Sequence, residues 1–169
     1  IEKAPELPDD ISWHFIGSIQ SNKVKQITSV PNLFMVESVE REKIATALNR
    51  EILATGRSDP LRVLVQVNPG GEDTKSGVSC NESLIQLVSH IRENCPNLRF
   101  SGLMVIGRPG VLEDMDMMQD YKAVLLEKFP DLKSLEPFEL SMGMSGDFEE
   151  AIKRGSTNVR VGSIIFGAR

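Results

Sequence analysis

The sequence is short of cysteine and has no long apolar run. Its 169 residues include two cysteines, Cys80 and Cys95, which are too few for a disulfide scaffold. No apolar run approaches the roughly 20 residues that span a bilayer, and no signal-peptide pattern occurs. We therefore expect a reducing compartment, with the cytoplasm as the first choice and the mitochondrion as the alternative.

Positive charge is also in short supply. Lysine and arginine together number 19, aspartate and glutamate number 24, and the net charge is -5. Proteins that bind nucleic acid or anionic membranes usually carry an excess of basic residues. The sequence therefore predicts neither nucleic acid nor a membrane as a partner.

Metal-binding and nucleotide-binding motifs are missing as well. His14 and His90 do not combine with the cysteines at metal-ligand spacing, so we expect no metal and interpret His14 as a hydrogen-bonded strand histidine. The segment 68–77 is rich in glycine, but Thr74 precedes Lys75 where a P-loop requires glycine. We interpret this segment as a strand-to-helix loop.

What the chain does contain is a regular alternation of short apolar runs and longer amphipathic segments. This alternation is typical of parallel strands joined by crossover helices. The predicted strands cover residues 13–17, 33–36, 63–67, 100–106, 138–142 and 159–166. The predicted helices cover residues 40–54, 83–94 and 117–129, with a short one within 145–155 and the longest loop at 107–116.

The length of the chain suits a single α/β domain. Both a doubly wound open sheet and a (β/α)8 barrel agree with the alternation. A closed eight-stranded barrel usually needs about 200 residues or more. Six strands therefore predict either an open sheet or an incomplete barrel.

Ser145 is the first candidate site residue, because it follows a predicted strand and precedes a short helix that ends at Gly155. The unpaired N–H groups at such a helix start can bind a phosphate. Asp147 and Glu150 have capping-box spacing, so Ser145 or Asp147 acting only as a helix cap is the alternative. The Asp147 carboxylate would repel a phosphate unless it is turned away.

Arg160 and Gly162 form the second candidate, because they share one face of a predicted strand. An inward guanidinium needs an acceptor, and glycine leaves room for one. A pyridine nitrogen, a carboxylate or a phosphate would serve. The alternative is an edge-strand arginine that reaches water or pairs with an acid such as Glu139.

Five motifs follow one another along the chain: Trp-His-Phe-Ile-Gly at residues 13–17, Gln-Ser-Asn-Lys at 20–23, Gly-Leu-Met-Val-Ile-Gly at 102–107, Leu-Ser-Met-Gly-Met-Ser at 140–145 and Gly-Ser-Thr-Asn-Val-Arg-Val-Gly at 155–162. In this order they closely resemble the pyridoxal phosphate homeostasis protein family. The similarity runs through nearly the whole chain.

The resemblance implies that pyridoxal 5'-phosphate (PLP) is the cofactor. It implies a phosphate cup formed by Ser145 and by the backbone at Gly162 and Ser163. It also implies that Arg160 faces the pyridine nitrogen and keeps that atom unprotonated, which weakens the ring as an electron sink and suits storage or a restrained racemase.

The same resemblance implies a fold and a departure from it. Members of the family look like the barrel domain of alanine racemase, so residues 1–169 are expected to form one PLP-binding domain of that (β/α)8 type. The family's Schiff-base lysine lies on a strand upstream of residues 13–17. We therefore expect no catalytic residue in this chain and an incomplete barrel without the first two strand-helix units.

The implied function is that of a non-catalytic PLP carrier in intracellular vitamin B6 homeostasis. PLP-dependent apoenzymes are the implied protein partners, and a monomer or weak homodimer is expected. A fold-type III enzyme such as an amino-acid racemase is the first alternative, but it needs a tyrosine base, and the single tyrosine, Tyr121, lies in a predicted outer helix. A truncated interaction product that does not bind PLP is the second alternative.

Overall fold

The computed structural model describes residues 1, 3–71, 76–135 and 137–167. Strands and helices alternate along the chain as predicted, and the strands begin and end within three residues of the predicted bounds, except the last one. The strands are β1 Trp13–Phe15, β2 Leu33–Val39, β3 Leu61–Val67, β4 Leu98–Val105, β5 Glu139–Met144 and β6 Asn158–Arg160.

The six strands form one parallel sheet in the order β1-β2-β3-β4-β5-β6. Each strand pairs with the next one in the sequence, so the strand order never reverses. A doubly wound sheet has such a reversal at its ligand-binding switch point. Of the two predicted architectures, the structure is therefore the incomplete barrel, with helical connections on one side of the sheet.

The helices are α1 Val24–Thr28, α2 Glu42–Ala54, α3 Asn81–Asn94, α4 Glu113–Lys128, α5 Phe148–Lys153 and α6 Ser163–Phe166, with 3-10 turns at Ala4–Glu6, Ser21–Lys23 and Pro130–Ser134. Helices α1 to α5 lie in the connections between successive strands, and the exposed turn α6 follows the last strand.

The loop predicted at residues 107–116 is shorter than expected, because α4 already begins at Glu113. The Asp114 carboxylate accepts a hydrogen bond from the Arg108 N–H at 2.8 Å and closes the loop. Tyr121 lies on α4 and is buried among apolar side chains, as predicted for an outer-helix position.

The prediction of a strand over residues 159–166 is wrong beyond Arg160. Hydrogen bonds from Phe166 N–H and Gly167 N–H to the carbonyls of Gly162 and Ser163 close the helical turn α6. Gly167 ends this turn with φ 81°, a conformation that glycine adopts without strain. The local β preference of the isoleucines is overridden by the glycines on either side of them.

The two faces of the sheet differ in composition. The helix-covered face carries the main apolar cluster, which joins strand residues such as Val36, Val63 and Leu103 to residues of the helices. The opposite face, here called the inner face, has a small apolar cluster of Met35, Leu64 and Met104. Around it lie the polar residues His14, Glu37, Ser141, Asn158 and Arg160.

Part of the glycine-rich loop predicted at residues 68–77, including Lys75, lies outside the described residues. Its flanks lie side by side, because Val78 forms a bridge to Val67 at the end of β3. Across the described ranges, no helix combines the length and apolar character required to cross a membrane. No group of three or more His, Cys, Asp and Glu side chains able to hold a metal ion occurs among the same residues.

Candidate functional site

Ser145 and Gly162 lie side by side at the carboxyl ends of neighbouring strands. Ser145 directly follows β5, and Gly162 lies just beyond β6. The Gly162 N–H donates a hydrogen bond to Ser145 Oγ at 3.1 Å. Ligands of parallel α/β folds bind at this edge of the sheet, so the structure brings together the two halves of the predicted cup.

Ser163 adjoins this contact as the first residue of α6, and its side chain is exposed. Because the chain turns into a helix there, Gly162 and Ser163 stay close to the end of β6 instead of continuing along a strand. The Gly162 backbone therefore lies beside the Ser145 hydroxyl, and Ser163 is the next residue in the chain.

The turn that carries Ser145 is closed by Asp147. Asp147 Oδ1 accepts a hydrogen bond from the Met144 N–H at 2.6 Å, and the Asp147 N–H donates to the Met144 carbonyl at 3.1 Å. The carboxylate is thereby turned back toward β5, which is the condition that a phosphate beside Ser145 requires.

The predicted capping box is wrong. Asp147 occupies the N-cap position of α5, but its side chain makes no capping bond to that helix. Glu150 pairs instead with Lys153 and Arg154 on the surface. The stop at Gly155 is as predicted, since this residue adopts φ 86°.

Arg160 points to the inner face, as predicted. Nη1 donates to Ser141 Oγ at 2.8 Å, and Nη2 donates to the Val105 carbonyl at 2.7 Å. The alternative pairing with Glu139 is wrong, because the Glu139 carboxylate accepts from the Thr157 hydroxyl.

The guanidinium of Arg160 remains charged and keeps a donor for a ligand. Burial lowers the pKa of Arg160, while the charges of Glu37 and Asp147 oppose this shift. Arginine is not deprotonated in proteins, and its guanidinium carries five N–H groups. Its hydrogen bonds to described residues use Nη1 and Nη2, which leaves Nε–H to an acceptor within that part of the chain.

Glu37 is the central residue that sequence reasoning missed. It lies on β2, its side chain is only 1% exposed, and both carboxylate oxygens are hydrogen-bonded. Oε1 lies 2.6 Å from His14 Nδ1 and accepts from Asn158 Nδ2 at 3.0 Å, while Oε2 accepts from Ser141 Oγ at 2.5 Å. These bonds reach from β2 to β5 and β6 across the inner face, so the sheet must curl as a barrel wall does.

The partners of Glu37 keep its carboxylate ionised. Burial raises the pKa of Glu37, but hydrogen bonds from His14 and Ser141 and the charges of His14 and Arg160 outweigh burial. The pKa consequently lies below its ordinary value of 4.5. An ionised carboxylate only accepts hydrogen bonds, so the hydrogen between it and His14 belongs to Nδ1.

His14 behaves as the hydrogen-bonded strand histidine that we predicted. Besides its bond to Glu37, its ring stacks on Phe34, with ring centroids 5.3 Å apart. The signal that identifies Glu37 is a carboxylate inside the apolar stretch Leu-Phe-Met-Val-Glu-Ser-Val of β2, because a buried strand rarely retains a carboxylate without partners.

Taken together, these contacts define a parallel strand-helix barrel fold with a polar candidate site at its carboxyl edge. The family model described as "Alanine racemase, N-terminal domain" matches residues 13–169. The pyridoxal phosphate homeostasis protein of Homo sapiens is 43% identical over 171 residues, covering 99% of this chain and 62% of the relative. The corresponding protein of Schizosaccharomyces pombe is 42% identical over 173 residues, covering 100% of this chain and 70% of the relative.

The chain therefore belongs to the alanine racemase N-terminal domain family and, within it, to the pyridoxal phosphate homeostasis proteins. It spans about three fifths of the length of the mammalian relatives, 62% of the human protein and 60% of the Mus musculus protein.

Solved structures agree with this assignment. PipY of Synechococcus elongatus, determined with PLP bound, superposes with a TM-score of 0.80 at 27% identity, covering 98% of this chain and 74% of that chain. Alanine racemase of Clostridium difficile superposes with a TM-score of 0.65 at 15% identity, covering 92% of this chain and 39% of that chain. The second likeness concerns the fold alone.

The residues at this edge suit the two ends of PLP. Because Ser145 Oγ accepts from Gly162, its own hydroxyl hydrogen is left to donate to a phosphate oxygen. The Asp147 carboxylate is already bonded to the Met144 N–H and faces away from that oxygen. Arg160 Nε–H provides a donor of the kind that an unprotonated ring nitrogen requires.

Proposed function

We propose that this chain binds PLP and serves intracellular vitamin B6 homeostasis as a non-catalytic carrier. The observation that supports this proposal is the pairing of Ser145 with Gly162 beside an inward Arg160. The PLP-bound structure of PipY and the names of the curated relatives agree with it.

In this proposal, Ser145 and the backbone of Gly162 and Ser163 bind the phosphate, and Arg160 binds the ring nitrogen. PLP, when bound, supplies a ring that accepts electrons most strongly with its nitrogen protonated. The permanently charged guanidinium donates a hydrogen bond to that nitrogen and disfavours a proton there. The ring is then a weak electron acceptor, which suits carriage of the cofactor.

The position of Tyr121 supports a carrier over a racemase. This tyrosine is buried in the apolar cluster on the helix-covered face of the sheet, whereas Arg160 points to the opposite, inner face. Burial, reinforced by the charge of Cys80, raises the pKa of Tyr121, so that less of its hydroxyl is ionised at neutral pH. Turnover of alanine enantiomers by the protein would contradict the carrier proposal.

The domain, the oligomeric state, the compartment and the protein partners are part of the same proposal. Residues 1–169 act as one PLP-binding domain, the protein is a monomer or weak homodimer in the cytoplasm, and PLP-dependent apoenzymes receive the cofactor. Transfer of PLP to a purified apoenzyme, measured as recovered activity of that enzyme, tests the last point. Recovery no faster than with free PLP at the same concentration would contradict it.

Equilibrium titration with PLP, followed by cofactor absorbance and fluorescence, tests binding itself. Ser145→Ala and Arg160→Gln should each weaken binding about tenfold, which corresponds to the loss of one hydrogen bond that involves a charged group.

The matched controls are Ser29→Ala and Arg154→Gln. Ser29 donates to the Gln26 carbonyl, and Arg154 belongs to a surface network with Asp116 and Glu150. Both controls should leave binding unchanged. Failure of the unsubstituted protein to bind PLP, or equal losses in the site variants and the controls, would refute the proposal.

A further inference from the structure

Glu37 and Arg160 are joined through one serine hydroxyl. Arg160 Nη1 donates to Ser141 Oγ at 2.8 Å, and Ser141 Oγ donates to Glu37 Oε2 at 2.5 Å. The direction of this chain is fixed, because a guanidinium only donates and an ionised carboxylate only accepts. The hydroxyl hydrogen must point at Glu37, which leaves the oxygen lone pairs to Arg160.

We propose that Glu37 is the positioning residue of Arg160 and that it acts through Ser141. The inference rests on the proposed function, in which Arg160 presents Nε–H to the ring nitrogen of PLP. Glu37 bonds to Ser141, and in this proposal it acts without touching the cofactor. Its part is to fix the orientation and the effective charge of the group that does.

The Arg160 guanidinium needs partners to fix its orientation, because an arginine side chain is long and flexible. Two contacts fix the guanidinium plane: the Val105 carbonyl, which is backbone, and the Ser141 hydroxyl, which can rotate. Glu37 stops that rotation by accepting the hydroxyl hydrogen. Without the carboxylate the serine is free to turn, and one of the two contacts loses its direction.

The charge of Glu37 matters as much as its shape. The ionised Glu37 and the protonated Arg160 carry opposite charges in a partly buried site, and His14 donates to the same carboxylate from its other side. The ring nitrogen then meets a directed donor whose positive charge is balanced from behind. Replacing Glu37 by glutamine keeps the size of the side chain and removes this balance.

His14 and Asn158 hold the carboxylate in place for this role. Both donate to Oε1, so Oε2 is left to Ser141 alone. The division between the two oxygens explains why Glu37 reaches Arg160 through the serine. The carboxylate is therefore bonded to β1 and β6 at the same time. These bonds hold Oε2 in one position, where it accepts the Ser141 hydroxyl hydrogen.

The first test needs no cofactor. In the ligand-free protein, the Arg160 Nε–H resonance should be a single narrow line in ¹⁵N-edited NMR spectra. Glu37→Gln and Ser141→Ala should each shift and broaden it, because both break the same chain of bonds. An unchanged Arg160 resonance in a folded Glu37→Gln or Ser141→Ala variant would overturn the inference, whatever PLP does.

The second test is a double-mutant cycle on PLP affinity. Glu37→Gln should weaken PLP about tenfold, as expected for one disturbed charge-assisted hydrogen bond, and should shift the fluorescence maximum of the bound cofactor. In an Arg160→Gln background the same substitution should cost nothing further, because Glu37 acts through Arg160. An equal loss in both backgrounds would mean a merely structural role and would overturn the proposal.

Asp114→Asn is the matched control, since it also replaces a buried carboxylate that pairs with an arginine, Arg108. It should lower stability and leave both the Arg160 resonance and the fluorescence maximum unchanged. If the unsubstituted protein fails to bind PLP, the proposed function fails, and the resonance of Arg160 still decides the role of Glu37.

Discussion

On β5, Leu140 and Met142 pack against the helices, whereas Ser141 between them bonds to Glu37 and Arg160 on the inner face. The same division holds on β2, where Val36 and Val39 are part of the apolar cluster and Glu37 is not. Each strand therefore contributes to two regions that are held together in different ways. The helix-covered face is stabilised by apolar burial, and the inner face is stabilised by polar groups that satisfy one another.

The difference has a consequence for how each region tolerates change. Apolar packing loses stability in proportion to the volume removed. In a buried polar network, removal of one member leaves its former partners unpaired, and they bear the desolvation cost. Substitutions on the helix-covered face should therefore act on folding, and substitutions on the inner face should act on folding and on the site together.

The largest loss of stability is expected from Leu103→Ala. Leu103 is fully buried in the apolar cluster of the helix-covered face, and a leucine-to-alanine change in a core costs about 2.7–5 kcal/mol. Urea denaturation should report this loss, while PLP affinity measured on the folded fraction stays within about twofold of the original. A change in affinity as large as that of Arg160→Gln would mean that the two faces are not separable.

A smaller loss is expected from Asn158→Ala on the inner face. It removes a hydrogen bond to an ionised carboxylate, which is worth about 1.5–3 kcal/mol. Asn158→Asp should be worse than Asn158→Ala, because a second carboxylate beside Glu37 repels it. Denaturation at neutral pH should rank the unsubstituted protein, Asn158→Ala and Asn158→Asp in order of falling stability. Equal stability of the alanine and aspartate variants would contradict a charged Glu37.

The next prediction concerns the pH dependence of folding stability, to which Glu37 contributes. Its pKa in the folded protein lies below the ordinary value of 4.5, so its ionised form stabilises the fold above about pH 4.5. This contribution is lost as the pH falls through the lower, folded-state pKa.

Acid denaturation curves of the protein and of Glu37→Gln test this linkage. The gap in stability between the two should be constant near neutrality and should narrow below about pH 4.5. A gap that widens toward acid pH would mean that burial, which favours the neutral carboxyl, prevails over the hydrogen bonds.

The smallest effect is expected on the outer surface. Glu150 is exposed enough to remain hydrated while it pairs with Lys153 and Arg154, and surface ion pairs contribute little. Glu150→Gln should leave the unfolding midpoint and PLP affinity unchanged within error. A clear loss would show that α5 depends on this network to hold the turn at Ser145.

The fold was largely predictable because its signals are local. Apolar runs and amphipathic segments lie next to each other in the sequence, and five of the six predicted strands occur where expected. The sixth failed beyond Arg160 because two glycines delimit the segment, and a propensity for β structure does not outweigh them. The choice between open sheet and barrel needed the strand order, which depends on contacts between distant segments.

The site was predicted only in part for the same reason. Ser145, Arg160 and Gly162 have local signals in turns and strand alternation. Glu37 has none that points to its partners, because Ser141 and Asn158 lie 104 and 121 residues away in the chain. The predicted strand at residues 33–36 stops just before Glu37, whereas β2 continues to Val39. Only the folded chain brings its partners to it.

The hydrogen bond from the Gly162 N–H to Ser145 Oγ means that this N–H already has an acceptor within the protein. Any anion that takes the Gly162 N–H must displace the serine oxygen, so binding there is an exchange of one acceptor for another. The net gain from such an exchange is small for a ligand that offers a phosphate and nothing else. A molecule that also contacts Arg160 gains from a second, independent contact. The site should therefore bind PLP more tightly than inorganic phosphate, because PLP can contact Ser145 and Arg160 at the same time.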